Sequence, residues 1–335
     1  METLLARLTP PGKAAIATLG LRGPRAWELV RQLFRPSAGN LSDEPLVGRF
    51  WFGRLGDEVV LAVKGRDAFE VHCHGGVEVV RMIEEMFVER GVHIVPWQTF
   101  LEATPIEQML VNAPTTRTAS ILLEQTQGVW EKCAKDHDAL VRLRDLIPLG
   151  KHLVEPWKIV IAGAPNVGKS SLMNALAGYS RSIVAPTPGT TRDVVSLRLA
   201  IDGWPIELID TAGIRDATSS LEGQGIERGR AALREADLRV WVVDGSSEPL
   251  LPDDVGSWLI VINKIDLQAA WNWNGLVDAL HVSARTGAGL ADLCGAMSRL
   301  LVPLPPAPGE AVPCMPGQAK FVTNALELLA KEPEA

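Results

Sequence analysis

The chain has 335 residues, of which 47% are hydrophobic and 22% charged, and it carries a formal net charge of −7. This length allows two or three domains with a substantial core. The acidic balance argues against a general nucleic-acid coat but leaves room for a local basic patch that binds RNA. We find no apolar run long enough to span a bilayer, and the first residues predict no signal peptide. The four cysteines include no Cys-x-x-Cys pair, so we expect reduced thiols and a cytoplasmic location.

The first hundred residues predict a small α+β unit. Short apolar runs alternate with two segments of helical spacing, and Gly56-Asp57-Glu58 joins two of the runs into a hairpin. Pro24 lies near the start of the first helix, and Gly91 ends the second. The predicted strands are Ala14–Leu19, Arg49–Leu55, Val59–Val63 and Glu70–His74, and the predicted helices are Pro24–Phe34 and Val77–Arg90.

The rest of the chain changes its pattern near Trp157. Residues 101–153 predict helix throughout, whereas short β-rich runs then alternate with helices, which is typical of a mostly parallel sheet with helices on both faces. The proline-rich stretch Pro303–Pro316 predicts a linker, and Lys320–Lys331 predicts a last short helix. The predicted strands here are Lys158–Ala162, Leu197–Ile201, Ile206–Ile209, Arg239–Val243, Leu259–Ile262 and His281–Ser283.

A phosphate-binding loop is predicted at residues 163–170, whose sequence GAPNVGKS follows the first of these strands and opens the helix Ser170–Ala177. Glycines let backbone N–H groups turn toward phosphate oxygens, and the helix N-terminus adds partial positive charge. We expect Lys169 to reach the β- and γ-phosphates and Ser170 to bind Mg²⁺. The residues predicted to bind nucleotide here are Asn166, Val167, Gly168, Lys169, Ser170 and Ser171.

Two later segments are suited to sensing the γ-phosphate and its Mg²⁺. Asp210 ends a strand and can hold the Mg²⁺ shell through water, while Gly213 can offer its N–H to the γ-phosphate. The run PGTTRD at residues 188–193 offers a threonine for the Mg²⁺ shell, and resemblance to translation-factor GTPases selects Thr191 over Thr190. The alternative is a loop with surface threonines. The nucleotide contacts predicted here are Thr190, Thr191, Asp210, Thr211, Ala212 and Gly213.

A guanine-recognition motif is predicted at residues 263–266, Asn-Lys-Ile-Asp, directly after an apolar strand. A carboxylate at Asp266 can accept two hydrogen bonds from guanine N1–H and its exocyclic amine, which adenine does not offer in that arrangement. Lys264 is expected to pack along the base. The loop after the last strand resembles one that contacts guanine O6 through its backbone. The predicted base-binding residues are Asn263, Lys264, Asp266, Ser283, Ala284 and Arg285.

These motifs resemble the GTPase domain of the MnmE (TrmE) family of tRNA-modification GTPases, closely from Lys158 to Ala231. The resemblance implies that Asn166 binds K⁺, which, with the loop Ile183–Thr190, neutralises transition-state charge in place of an arginine finger. It also implies that Glu222 orients the attacking water. The alternatives are a turn asparagine and an exposed glutamate at a helix start. The catalytic residues so expected are Glu222, Lys169 and Thr191.

The resemblance implies an α/β P-loop GTPase domain at residues 156–301, inserted in a shortened helical domain at 101–155 and 302–335, after an N-terminal α+β domain at 1–100. The opening run TPPGK at residues 9–13 and the run EVHCHGG at 70–76 carry the likeness of the N-terminal part. The family implies a homodimer through this domain and pairing of the GTPase domains.

Several positions depart from the family pattern. The family binds a folate one-carbon donor, and its folate-contacting arginine maps to Gly20; among the folate positions that we can map, only Glu70 matches. The family ends in Cys-x-Gly-Lys, whereas this chain ends in KEPEA and its Cys314-Met315-Pro316-Gly317 lies upstream. The family's element Asn-Gly-Lys-Leu-Asp-Leu is missing. These departures predict that the folate derivative is not used.

Three interpretations follow from these residues. The first is an MnmE-like GTPase that binds GTP and GDP, uses Mg²⁺ and K⁺, and acts with a partner enzyme in modifying the tRNA wobble uridine. The second is a regulatory GTPase switch with an unknown partner and no tRNA-modifying role. The third is a GTP-binding scaffold without catalysis, against which Lys169, Thr191, Asp210 and Glu222 argue. No membrane partner is expected.

Overall fold

A computed structural model describes residues 2–12, 14–133, 135–180, 196–210 and 231–330. The chain divides into two compact units, Met1–Gln108 and Met109–Ala335. Among the described helices, none combines the length and the apolar character that crossing a membrane requires.

The first unit is a seven-stranded sheet in the strand order β3-β4-β5-β6-β2-β1-β7. Within the described part of this unit, all neighbouring strands are antiparallel except β1 and β7. The strands are β1 (Leu4–Arg7), β2 (Ile16–Arg22), β3 (Arg35–Pro36), β4 (Phe50–Leu55), β5 (Asp57–Val63), β6 (Ala68–His74) and β7 (His93–Ile94). The helices that lie in this unit or begin in it are α1 (Ala26–Leu33), α2 (Val77–Val88), α3 (Trp97–Leu101) and α4 (Pro105–Val111).

The alternation of apolar residues along these strands gives the first unit a single buried face. Leu19, Leu61 and Val71 point into a core that Val30 of α1 and Ile83 of α2 complete. Burial of each such side chain stabilises the fold by about 1.5–3 kcal/mol relative to leaving it exposed. The prediction of the β4–β5 hairpin is confirmed; its turn residue Gly56 has φ +73°, a conformation that glycine adopts without strain.

The prediction for the first unit missed strands and misplaced several boundaries. β1 has four residues and β3 and β7 have two each, so none offers the repeated alternation on which strand prediction depends. The strand predicted at Ala14–Leu19 begins at Ile16 and continues to Arg22, because its pairing with β6 extends to Ala68.

The second unit contains a six-stranded sheet in the order β13-β12-β11-β8-β10-β9. Among the strands that the structure describes here, only the β9–β10 pair is antiparallel, so the prediction of a mostly parallel sheet is confirmed. Residues 231–234 are helical and pack on Val160 and Ile209. The strands are β8 (Trp157–Gly163), β9 (Ser196–Ile201), β10 (Trp204–Asp210), β11 (Leu238–Asp244), β12 (Leu259–Asn263) and β13 (Leu280–His281). The helices after α4 are α5 (Thr116–Gln125), α6 (Val129–Lys132), α7 (His137–His152), α8 (Lys169–Ser180), α9 (Leu290–Leu301) and α10 (Pro316–Leu329).

The expectation that residues 101–153 are helical throughout is wrong. The segment is broken between α4 and α5, between α5 and α6, and between α6 and α7. Thr115 and Asp136 each accept a hydrogen bond from a backbone N–H of the following helix, as N-cap residues do, and Gly128 adopts φ +72°. These start signals outweigh the apolar periodicity that made the segment resemble one helix.

Side-chain hydrogen bonds and a cation–π contact join the start of α5 to the β9–β10 turn. Thr115 Oγ1 donates to Gly203 O at 2.6 Å, and Arg117 Nη1 donates to Asp202 Oδ2 at 2.9 Å. The Arg117 guanidinium lies 4.1 Å from the centre of the Trp204 ring, within cation–π range. These contacts hold the helical segment against the strand pair that leads to Asp210.

The stretch predicted as a linker, Pro303–Pro316, lacks regular secondary structure up to Met315, but it is not a free linker. Val312 is fully buried, and its N–H donates to Gln125 Oε1 at 3.1 Å. A Cβ atom placed at Gly150 of α7 would lie 2.1 Å from Pro313 O, so the stretch passes directly over that glycine. The following helix begins at Pro316 rather than Lys320, because proline is well suited to the first helical turn.

Candidate nucleotide-binding site

The site lies where parallel strands of the second unit end. In the sheet, β11 lies between β8 and β12, and Asp244 at its end pairs with Asn263 at the end of β12. Gly163 ends β8, and Asp210 ends β10 on the other side of β8. Ligands of open α/β sheets bind outside the carboxyl ends of the strands, so this edge is the expected position for one.

The phosphate loop has a backbone that its two glycines alone can supply. Gly163 has φ +146° and Gly168 has φ +92°. A Cβ atom at Gly163 would lie 2.3 Å from Val242 O, and one at Gly168 would lie 2.4 Å from Asn263 Nδ2. Asn166 also adopts a left-handed conformation, with φ +64°, which asparagine tolerates better than most residues. The loop is therefore fixed closely between its neighbours.

Lys169 begins α8 and is buried beneath the phosphate loop. Its Nζ donates to Gly163 O at 3.1 Å and to Ala164 O at 2.8 Å. Buried ammonium groups require such partners, because an unpaired charge is costly to desolvate. The lysine therefore points into the concave side of the loop, where phosphate oxygens can replace these carbonyl partners.

Ser170 and Asp210 meet at the same end of the sheet. Ser170 Oγ donates to Asp210 Oδ2 at 2.9 Å, and Asp210 is only 3% exposed. A hydroxyl and a carboxylate are oxygen ligands of the kind that Mg²⁺ takes, directly or through water. These two side chains therefore fit the predicted ion.

Asn263 braces two loops of the site. It is buried; its Nδ2 donates to Val167 O at 2.9 Å, and its Oδ1 accepts from the Ala284 N–H at 3.0 Å. The side chain thus ties the phosphate loop to the loop after β13. A contact from the Ala284 N–H to guanine O6, as the sequence suggests, would share that donor with Asn263.

Lys264 crosses from the guanine motif to the phosphate loop. Its Nζ donates to Asn166 O at 2.7 Å and to Asp244 Oδ2 at 2.6 Å. Burial raises the pKa of Asp244, but hydrogen bonds from Lys264 and Ser246 outweigh it and hold the pKa below its usual range. Asp244 is a site residue that the sequence reasoning missed.

Asp266 is held by the loop that follows β13. Its Oδ1 accepts from Ser283 Oγ at 2.6 Å, and Arg285 Nε lies 3.5 Å from its Oδ2. The hydrogen bond from Ser283 lowers the pKa of Asp266 below its usual range, so the carboxyl is ionised at neutral pH. An ionised carboxylate accepts hydrogen bonds only, which suits two N–H donors on one edge of a base.

One cavity of about 190 Å³ joins the phosphate loop to the guanine motif. Leu267 contributes an apolar wall that the sequence reasoning did not single out. The lining of the cavity combines apolar surface with one carboxylate, as base-binding pockets do. The lining residues are Gly168, Ser171, Asn263, Lys264, Asp266, Leu267, Ala284 and Arg285.

Several predicted site residues lie outside the described residues. They belong to two segments, 181–195 and 211–230. The structure therefore neither places them nor separates them from the rest of the site. They are Thr190, Thr191, Thr211, Ala212, Gly213 and Glu222.

A phosphate loop, a Ser–Asp pair of the kind that fits Mg²⁺ and a carboxylate in an adjoining base-sized cavity define a P-loop GTPase. The family model described as 50S ribosome-binding GTPase matches residues 158–270. The tRNA modification GTPase MnmE of Phenylobacterium zucineum is 31% identical over 87% of this chain and 78% of its own length. The MnmE of Thermotoga petrophila is 30% identical over 89% of this chain and 82% of its own length.

The chain belongs to the MnmE family of tRNA modification GTPases and is a GTP-hydrolysing enzyme. Among solved structures, the G domain of the T. maritima FeoB iron transporter is 27% identical and covers 44% of this chain and 99% of its own length, with a TM-score of 0.32.

Proposed function

We propose that this chain hydrolyses GTP to GDP and phosphate with Mg²⁺ and K⁺, and that it acts with a partner enzyme in modifying the tRNA wobble uridine. The observation that carries the proposal is the cavity that places Asp266 and Lys264 beside Gly168 of the phosphate loop. One ligand with a guanine base and a phosphate chain satisfies both ends of this cavity. The tRNA role is drawn from the names of the relatives.

In the proposed reaction, the chain binds and orients the nucleotide before it is cleaved. Lys169 exchanges its two carbonyl partners for β- and γ-phosphate oxygens, and Asp266 accepts from the guanine edge. Ser170 and Asp210, with Thr191, would hold Mg²⁺, which would neutralise charge on the phosphates. Glu222 orients the attacking water.

K⁺ is proposed to bind at Asn166, whose backbone the described residues hold firmly. Asn166 has φ +64°, and its carbonyl accepts from Lys264 Nζ at 2.7 Å. The amide oxygen of the Asn166 side chain is the proposed ligand of the monovalent cation. With the loop Ile183–Thr190, the cation would neutralise charge that develops during cleavage.

The proposed domains are those expected from the sequence: 1–100, 101–155 with 302–335, and 156–301. Contacts between α7 and α10 support the second of these, since Leu140 and Leu143 pack with Val322 in one cluster. We also propose a homodimer through the N-terminal domain. Phe52 and Val60 pair on the open face of its sheet with Phe50 beside them, and all three are exposed.

The residues of the first unit do not fit a folate derivative. A Cβ atom at Gly20, where the family has its folate-contacting arginine, would lie 2.6 Å from the Phe100 ring. Glu70 Oε1 lies 3.6 Å from Lys64 Nζ, and Glu70 Oε2 lies 3.5 Å from His72 Nε2. An arginine side chain would have to displace Phe100, so no step through folate is proposed. This misfit favours the second candidate, a regulatory GTPase switch without a tRNA-modifying role.

Replacing K⁺ with Na⁺ is expected to lower the turnover of GTP about 10-fold or more, because Na⁺ does not match the proposed site at Asn166. The measurement is steady-state phosphate release in KCl and in NaCl, with Glu222→Ala beside the parent chain. The variant is expected to lose turnover in both salts while still binding GTP. Equal rates in KCl and NaCl would remove Asn166 from the catalytic account.

A further inference from the structure

Asp244 occupies the position between the two halves of the nucleotide site. It ends β11, the strand that lies between β8, which leads to the phosphate loop, and β12, which leads to the guanine motif. Its side chain is buried. A buried carboxylate is costly to desolvate unless it is paired, so its partners indicate what it does.

Both oxygens of Asp244 are used. Oδ2 accepts from Lys264 Nζ at 2.6 Å, and Oδ1 accepts from the Ser246 N–H at 2.8 Å and from Ser246 Oγ at 2.7 Å. The Ser246 contacts fix the direction of the carboxylate, and the carboxylate then fixes the ammonium. A charge-assisted hydrogen bond of this length is among the stronger ones in proteins.

Lys264 would have little to hold it without this partner. Its stem carries four rotatable bonds, and its other described acceptor is the neutral carbonyl of Asn166 at 2.7 Å. Pairing with Asp244 keeps the stem along the wall of the cavity where the base is proposed to lie.

We propose that Asp244 is a positioning residue for guanine-nucleotide affinity, which acts through Lys264 by holding its stem against the base and its ammonium against the phosphate loop. The inference rests on the proposed function, because it takes the cavity beside Asp266 as the guanine site. The positioning by Asp244 affects contacts with the guanine base and the conformation of the phosphate loop. Both matter equally for GTP and GDP, so the affinity for each nucleotide depends on Asp244.

The test is Asp244→Asn, which keeps the size of the side chain and removes its charge. The Kd for mant-GDP and the KM for GTP are expected to rise together by about 10-fold, with kcat changed less than about twofold. Asp253→Asn is the matched control, because Asp253 is exposed in a nearby loop. A GDP affinity within about twofold of the parent would overturn the proposal.

A double-mutant cycle with Lys264→Met separates positioning from a structural effect. If Asp244 acts through Lys264, then Asp244→Asn costs little more affinity once the ammonium is gone. Additive losses would overturn the proposal. Melting curves without nucleotide accompany each variant, and Asp244→Ser takes the place of the asparagine variant if that protein does not fold. If Asp266→Asn changes base preference but Asp244→Asn has no effect, the proposed function stands and this inference fails.

Discussion

Asp266→Asn is expected to lower kcat/KM for GTP by about 10²- to 10⁴-fold and to raise it for XTP. The ionised carboxylate, held by Ser283 Oγ at 2.6 Å, accepts from two N–H groups of guanine. An asparagine amide cannot accept both, but it can donate to the carbonyl that xanthine carries in place of the exocyclic amine. The measurement is kcat/KM for GTP and XTP with the variant and the parent chain.

Asp278→Asn is the matched control, because it makes the same chemical change at an exposed position near β13. It is expected to leave base preference unchanged. Unchanged GTP affinity in Asp266→Asn would contradict the assignment of residues 263–266 as the guanine motif.

Lys169→Ala is expected to lower kcat/KM for GTP by about 10³-fold, since the variant loses the buried ammonium group that is proposed to bind the β- and γ-phosphates. The loop carbonyls of Gly163 and Ala164 also lose their donor, so the loop itself should bind phosphate less well. The measurement is phosphate release together with GDP affinity. Lys320→Ala, at an exposed position of α10, is the control. Turnover retained within about 10-fold would place the phosphates elsewhere.

The nucleotide motifs could be predicted from the sequence because each depends on local spacing. The run at residues 163–170 is a turn between a strand and a helix, and both flanking elements are where the spacing placed them. Asp210 and Asn263 end strands, as predicted. The contact between Ser283 and Asp266 does not follow from local spacing. It forms because the parallel sheet aligns β12 and β13.

The contacts that the sequence did not reveal depend on strand order. Asp244 meets Lys264 because β11 lies between β8 and β12, and chain order does not state that arrangement. Phe100 covers Gly20 across 80 positions of sequence, so its ring could not be placed there from periodicity. The buried stretch around Val312 was likewise hidden by its proline-rich composition.

The measurement that tests the central claim most directly is steady-state phosphate release from GTP and from ATP by the unmodified chain in KCl with Mg²⁺. We expect turnover of GTP, with ATP turned over at less than about a hundredth of that rate, because adenine cannot satisfy the hydrogen-bonding capacity of Asp266. Equal rates with the two nucleotides, or no release from GTP, would contradict it.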